Sequence, residues 1–256
     1  TKLDLWETSF GLQAVDGLVP SKYMLELAEK NLSGKKSYEE IANDLNKYYE
    51  DENKSKDSKE ADVVSLRIAE FLSDDYFTFS PGTLLAIHKY LFTDVFSDFP
   101  VGKFRRTNIR KTEEVLNGDS VQYASHFMIK ETLDYDFNLE KEFSFKEMTD
   151  TEIGHHVMNF ISNIWQIHPF REGNTRTMAV FSIKYLRSLG FHLNNEPFKK
   201  NSAYFRDALV LANASRELKT DKFLRDFTEN LLFHGENHLS QRNMMKRTYD
   251  ILKKES

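Results

Sequence analysis

The sequence predicts a mainly α-helical bundle carrying one β-hairpin, and three observations predict it. First, apolar residues recur at helical spacing, as in Ile153, Val157, Phe160, Ile161, Ile164 and Trp165, and again in Met178, Phe181, Ile183, Tyr185 and Leu186. Second, helix-start chemistry precedes such stripes: Ser37-Tyr38-Glu39-Glu40 is a capping box, and Ser80-Pro81 places an N-cap before proline. Third, one place breaks the pattern. Glu113-Glu114-Val115-Leu116 and Asp119-Ser120-Val121-Gln122-Tyr123 flank Asn117-Gly118, the strongest short hairpin signal.

Composition narrows the class. A chain of 256 residues, 40% hydrophobic and 13% aromatic, can bury a sizeable core. It contains no cysteine, which excludes disulfides, thiolate metal sites and a cysteine nucleophile. A formal charge of −5 argues against a general nucleic-acid binder. No apolar run reaches the roughly 18 residues of a membrane span, and no signal-peptide pattern opens the sequence. A soluble, cytoplasmic protein with no membrane or nucleic-acid partner is the expectation.

In chain order, residues 1–13 are short and partly apolar, and 15–21 read as a turn-rich hinge. Helices fit 22–31 and the segment opened by Ser37. Residues 51–60 (DENKSKDSKE) lack any apolar side chain and read as a linker. Helical periodicity resumes with Val63, Val64, Leu66 and Ile68, and a further helix follows Ser80-Pro81. After the hairpin, 126–139 is helical, 140–150 is polar, and Thr149 or Asp150 caps the next helix. Residues 202–214 and 221–233 are amphipathic helices, and 238–254 a polar one. These readings divide the chain into a helical module (1–50), a charged linker (51–60), a main domain (61–235) and a C-terminal extension (236–256).

Between the two apolar stripes lies His168-Pro169-Phe170-Arg171-Glu172-Gly173-Asn174-Thr175-Arg176. Pro169 disfavours α-conformation at His168, so the first helix ends there. Gly173 and Asn174 accept unusual backbone angles and open the second helix, whose N-terminus attracts phosphate. The nonapeptide resembles the signature of the Fic family, His-x-Phe-x-(Asp/Glu)-Gly-Asn-x-Arg. The segment Asp-Gly-Leu-x-Pro-Ser at 16–21, followed by two short helices, is similar to the antitoxin-like inhibitory module found with some Fic proteins. The loop 94–109, with Gly102 and Arg105-Arg106, resembles the Gly-x-x-Arg-x-x-Asn-Ile stretch that precedes the motif in that family.

The resemblance implies a Fic fold with the hairpin as a flap over the active-site loop, and AMP transfer from ATP to a side-chain hydroxyl of a target protein. The chemistry of the residues agrees. An imidazole with an ordinary pKa near 6.5 suits His168 to take the hydroxyl proton. Glu172 is a hard oxygen ligand for Mg²⁺. Gly173, Asn174, Thr175 and Arg176 line the helix N-terminus where phosphates would bind. Val115, Leu116, Val121 and Gln122 of the flap would hold the target chain as an added strand.

Two departures matter. The family's second arginine, three residues beyond Arg176, is here Ala179. The inhibitory Ser/Thr-x-x-x-Glu-Gly reads Leu12-x-x-x-Asp16-Gly17, so both halves of the usual lock are altered. With no cation at Ala179, Asp16 is expected to point to solvent or cap a local turn, Asp16→Ala to change activity little, and Ala179→Arg to strengthen ATP binding. Two alternatives to adenylyl transfer stay open: another phosphate-containing donor on the same fold, and a catalytically idle interaction module.

Overall fold

The computed structural model describes residues 1–51 and 53–255. Eleven α-helices run through them: α1 (Lys2–Leu12), α2 (Lys22–Leu32), α3 (Tyr38–Tyr48), α4 (Lys56–Phe71), α5 (Pro81–Phe92), α6 (Ile129–Glu142), α7 (Asp150–Ile167), α8 (Asn174–Ser188), α9 (Glu196–Ala212), α10 (Lys222–Leu232) and α11 (Gln241–Glu255). The starts follow side-chain chemistry. Ser37 and Thr149 each close a capping box, with Glu40 and Glu152, and Ser80 caps α5 with Pro81 in its first turn. Such a cap stabilises a helix by about 1 kcal/mol, because it satisfies amides that the helix itself leaves open.

Two cores share one wall. In the smaller, Trp6, Met24, Leu27, Ile41 and Leu45 pack against Val63, Leu66 and Ala69 of α4. The other face of α4 gives Val64 and Ile68 to the main core, built on α5 to α10, which Leu12 also enters. The central helix α8 is buried from Asn174 to Leu186. Its neighbours α5 and α7 hold the loop 168–173 at one end of the bundle.

Three expectations are corrected here. Residues 56–60 are the first turns of α4, which starts from the N-cap Ser55; they are polar because that end of the helix faces solvent. Position 52 of the expected linker lies outside the described residues, as does position 256 of the C-terminal extension. Residues 2–12, read without a helix, form α1. Its inward face is Trp6, Thr8, Ser9 and Leu12, too mixed for apolar periodicity to reveal. Its close approach to α9 explains the small residues: a Cβ on Gly11 would lie 2.4 Å from the Lys199 carbonyl oxygen.

The third correction is the hairpin. Among the described residues there is no strand. Residues 114–116 wind into a 3₁₀ turn, and Asn117 and Gly118 take the positive φ of 56° and 91° that a tight hairpin turn also uses. The loop closes on itself, the Glu113 amide donating to Asp119 O at 2.9 Å and the Gly118 amide to Glu113 O at 2.9 Å. Strand geometry would send Val115 and Leu116 to opposite faces. Both are buried in the main core instead, and Thr248 of α11 donates to Val115 O at 2.8 Å. Burial of two consecutive side chains overrode the turn signal.

Candidate functional site

The motif loop is held from four sides. α7 ends at Ile167, and His168 takes a left-handed φ of 52° before Pro169, so the chain reverses at once. Arg105, 6% exposed, reaches under the turn. Its guanidinium donates to His168 O at 2.7 Å, Ile167 O at 3.2 Å, Thr107 O at 2.8 Å and Ala124 O, while its amide donates to Pro169 O at 2.8 Å. Asn174 closes the loop from within: its Oδ1 accepts from the Phe170 amide at 3.0 Å, and its Nδ2 donates to Phe170 O at 2.8 Å. Phe170 itself is fully buried, which anchors the loop by about 1.5–3 kcal/mol of apolar burial.

His88 of α5 is the fourth support, at a position that no motif marks. The Gly102 amide donates to its Nδ1 at 2.8 Å, so that nitrogen carries no proton; its Nε2–H then donates to Glu172 O at 2.9 Å. The ring stacks on Phe170, centroids 3.8 Å apart at 10°. The bond from Gly102 needs the neutral ring, and burial pushes the His88 pKa down to about 4 against the opposing pull of the Glu172 carbonyl. The unfolded chain has an ordinary histidine pKa near 6.5, so it binds the proton first. Stability contributed by neutral His88 is therefore present above pH 6.5 and lost as pH falls towards 4. At 1.36 kcal/mol per pH unit the loss is about 3 kcal/mol. Urea unfolding at stepped pH should show this decline, and His88→Gln should flatten it; an equal slope in both proteins would refute the assignment.

His168 points its chemistry inward. The ring is 2% exposed, under Tyr123 at 4.2 Å between centroids. Its Nδ1 lies 3.1 Å from Trp165 O, which can only accept, so Nδ1 carries the proton and Nε2 the lone pair. Nε2 is buried without a hydrogen-bond partner among the described residues. Burial, and after it the charge of Lys111, hold the His168 pKa well below the ordinary value. The imidazole is thus neutral at pH 7 with its basic nitrogen uncommitted. Glu172 is exposed, and its Oε2 meets Lys111 Nζ at 3.1 Å. No side chain caps the N-terminus of α8.

The other expected phosphate ligands are engaged elsewhere. Gly173, φ 79°, serves as the N-cap of α8. Thr175 Oγ1 accepts from Trp165 Nε1 at 3.0 Å. Arg176 is 1% exposed and is held by the N-terminal module and α4. Its Nη1 donates to Gln13 Oε1 at 3.0 Å, its Nη2 to Glu60 Oε1 at 2.5 Å, and its Nε lies 2.8 Å from Asp16 Oδ2. The last contact is an ion pair rather than an aligned hydrogen bond, since the Nε–H finds no acceptor in good geometry. Asp16 is exposed, as expected, yet it also pairs with the first motif arginine, the second being absent. Gly17 follows with φ 69°. Leu12 is fully buried in the main core, as is Ala179. An arginine at 179 would force a guanidinium into that core, so the expected gain in ATP binding is withdrawn.

Of the expected flap residues, Val115, Leu116 and Val121 are buried, and Gln122 is exposed with its carbonyl accepting from Gln166 Nε2 at 3.2 Å. Glu113 is buried in a bidentate pair with Arg206, at 2.7 and 2.9 Å. A polar cleft of about 490 Å³ borders the loop at Tyr123 and Ile167. A larger cavity, about 910 Å³, lies against α11 and contains none of the motif residues, so chemistry rather than size locates the site. Among the described residues, no three His, Cys, Asp or Glu side chains gather to bind a metal. Glu172 fits a Mg²⁺ shared with substrate phosphates, which takes one or two protein carboxylates.

The comparisons with known proteins agree on the fold. The Fic/DOC family model matches residues 78–186. No curated protein matches the chain in sequence. Among solved structures, the N-terminal Fic domain of a Bep effector from Bartonella sp. AR 15-3 aligns with TM-score 0.56 at 16% identity, over 70% of this chain and 82% of that one. BepC of Bartonella tribocorum, solved with AMPPNP bound, gives 0.53 at 18% identity, over 73% and 86%. The N-terminal Fic domain of Bep8 from Bartonella sp. 1-1C gives 0.54 at 17% identity, over 74% and 93%. At such identities the likeness speaks for the fold, and with the family match and the motif loop it leads to one identification: residues 78–186 form a Fic/DOC family domain.

Proposed function

We propose that the protein is a Mg²⁺-dependent protein adenylyltransferase. The observation that carries the reading is His168 Nε2: a buried, basic, unpartnered nitrogen beside an uncapped helix N-terminus. The target's Ser, Thr or Tyr hydroxyl would give its proton to Nε2 while its oxygen attacks the α-phosphorus of ATP. The bond to the pyrophosphate oxygen breaks, AMP stays on the target, and pyrophosphate leaves. Trp165 O keeps the tautomer fixed and supports the imidazolium that forms. Amides at the start of α8 face the developing phosphate charge. Glu172 would hold Mg²⁺, which supplies neutralisation of phosphate charge. The AMPPNP bound by BepC makes a nucleotide the natural first donor to test.

The target would approach along the segment 120–125, where Gln122 is the exposed member of the expected docking set. Residues 1–50 act in this reading as an inhibitory module, supported by the hold of Gln13 and Asp16 on Arg176. The decisive experiment uses α-labelled ATP and intact-protein mass spectrometry, with a panel of other nucleotides. The parent should add one adenylyl group to itself or a target, and His168→Ala should lower the rate by about 10²–10⁴, the usual worth of a general base. Labelling that persists in His168→Ala rejects the assignment of the base. Transfer from a different donor, or calorimetry showing no nucleotide binding, would favour the two alternatives in turn.

A further inference from the structure

The site has a cation that neither the motif nor its spacing announces. Lys111 lies outside the nonapeptide, on the segment leading into the 3₁₀ turn, where its amide donates to Ser120 Oγ at 3.2 Å. Its ammonium lies 3.1 Å from Glu172 Oε2, and its charge is the strongest electrostatic influence on His168. Lys111 thus sits on the carboxylate, with its charge felt at the base.

The other cations against the motif are committed. Arg105 is buried among main-chain carbonyls, and Arg176 is buried among Gln13, Asp16 and Glu60. Arg206 is paired with Glu113, and Arg171 turns towards the Phe99 ring at 5.9 Å. Lys111 is 27% exposed and its partner Glu172 49%, so that pair opens without unburying a charge. A lysine ammonium is a point charge suited to phosphate and able to swing on its flexible stem.

We propose that Lys111 is the phosphate-binding cation of this site, filling the place left by Ala179 and by the engaged Arg176. The proposal rests on the transferase reading and adds to it a ligand that exchanges partners. Without phosphate, Lys111 neutralises Glu172. With a nucleotide present it moves to the phosphate, and Glu172 becomes available to a metal ion.

Calorimetry with ATP and with pyrophosphate, in EDTA and in Mg²⁺, tests this on the full chain. Lys111→Gln should lose ten- to hundred-fold in affinity for both, as expected for a charge-assisted contact. Lys111→Arg should stay within about threefold of the parent, and Arg171→Gln within about twofold. In EDTA, Glu172→Gln should bind pyrophosphate more tightly than the parent, and adding Lys111→Gln should erase that gain. A parent that binds ATP while Lys111→Gln binds it equally overturns the proposal and leaves the transferase reading standing. A parent that binds neither ligand at millimolar concentration overturns both. A circular-dichroism melt of each variant confirms folding, and the exposure of Lys111 predicts little change.

Discussion

Asp16→Ala is expected to raise ATP affinity and self-labelling while lowering the melting temperature. The two effects share one cause. Arg176 is a buried guanidinium whose charge is balanced by Asp16 and Glu60, with Gln13 as a neutral third partner. A phosphate at the start of α8 competes with those acceptors for the same donors. Removing Asp16 weakens the competitor by the worth of a partly exposed ion pair, about 1 kcal/mol, which is roughly fivefold in affinity. It also leaves a buried cation with one carboxylate fewer, and breaking one side of a buried pair is destabilising. Glu60 remains, so the chain should still fold. Nucleotide titration and thermal melts of the parent, Asp16→Ala and Glu60→Gln give both readings. Lower stability with unchanged affinity would make Arg176 a tether of the N-terminal module and nothing more.

Gly173→Ala should be the most damaging single methyl group in the domain. At φ 79° a side chain is strained, and an added Cβ would lie 2.4 Å from Phe92 Cε2 and 2.6 Å from Cζ. Phe92 is fully buried and stacked on Phe96, so it has no room to withdraw. Strain of about 1–2 kcal/mol and overpacking of about 1–3 kcal/mol together predict a loss near 3 kcal/mol, with the motif loop displaced. Denaturant unfolding should show the fall and labelling should vanish. A loss under about 1 kcal/mol would mean that the loop yields without strain.

Much of the bundle was legible because its determinants are local. Ser37, Ser80 and Thr149 mark helix starts within four residues of sequence, and Pro169 and Gly190 mark stops. The motif was legible for the same reason. What escaped notice depends on partners far along the chain. Lys111 meets Glu172 61 positions later, and Gln13 meets Arg176 163 positions later. No spacing rule links such residues. α1 was hidden by small and polar side chains that only the nearness of α9 explains. Asn117-Gly118 did supply the expected backbone angles, but the burial of Val115 and Leu116 decided what lay beside them.

The seat of α1 has a consequence for the order in which the protein is made. Gly11 packs against the backbone of Phe198 and Lys199, Ser202 Oγ donates to Gly11 O at 2.5 Å, and Lys199 Nζ meets Asp4 at 2.6 Å and Glu7 at 3.0 Å. The ribosome delivers α1 almost two hundred residues before α9, at about 5–20 residues per second. A nascent chain already holds His168, Glu172 and Arg176, and the α4 surface that receives Trp6, while the α9 surface that receives Gly11 has yet to be synthesised. Gln13 and Asp16 are brought to Arg176 by a helix that can lodge on α4 early but gains its second wall, α9, only after the motif is made, so the full seat behind their hold on Arg176 is completed late.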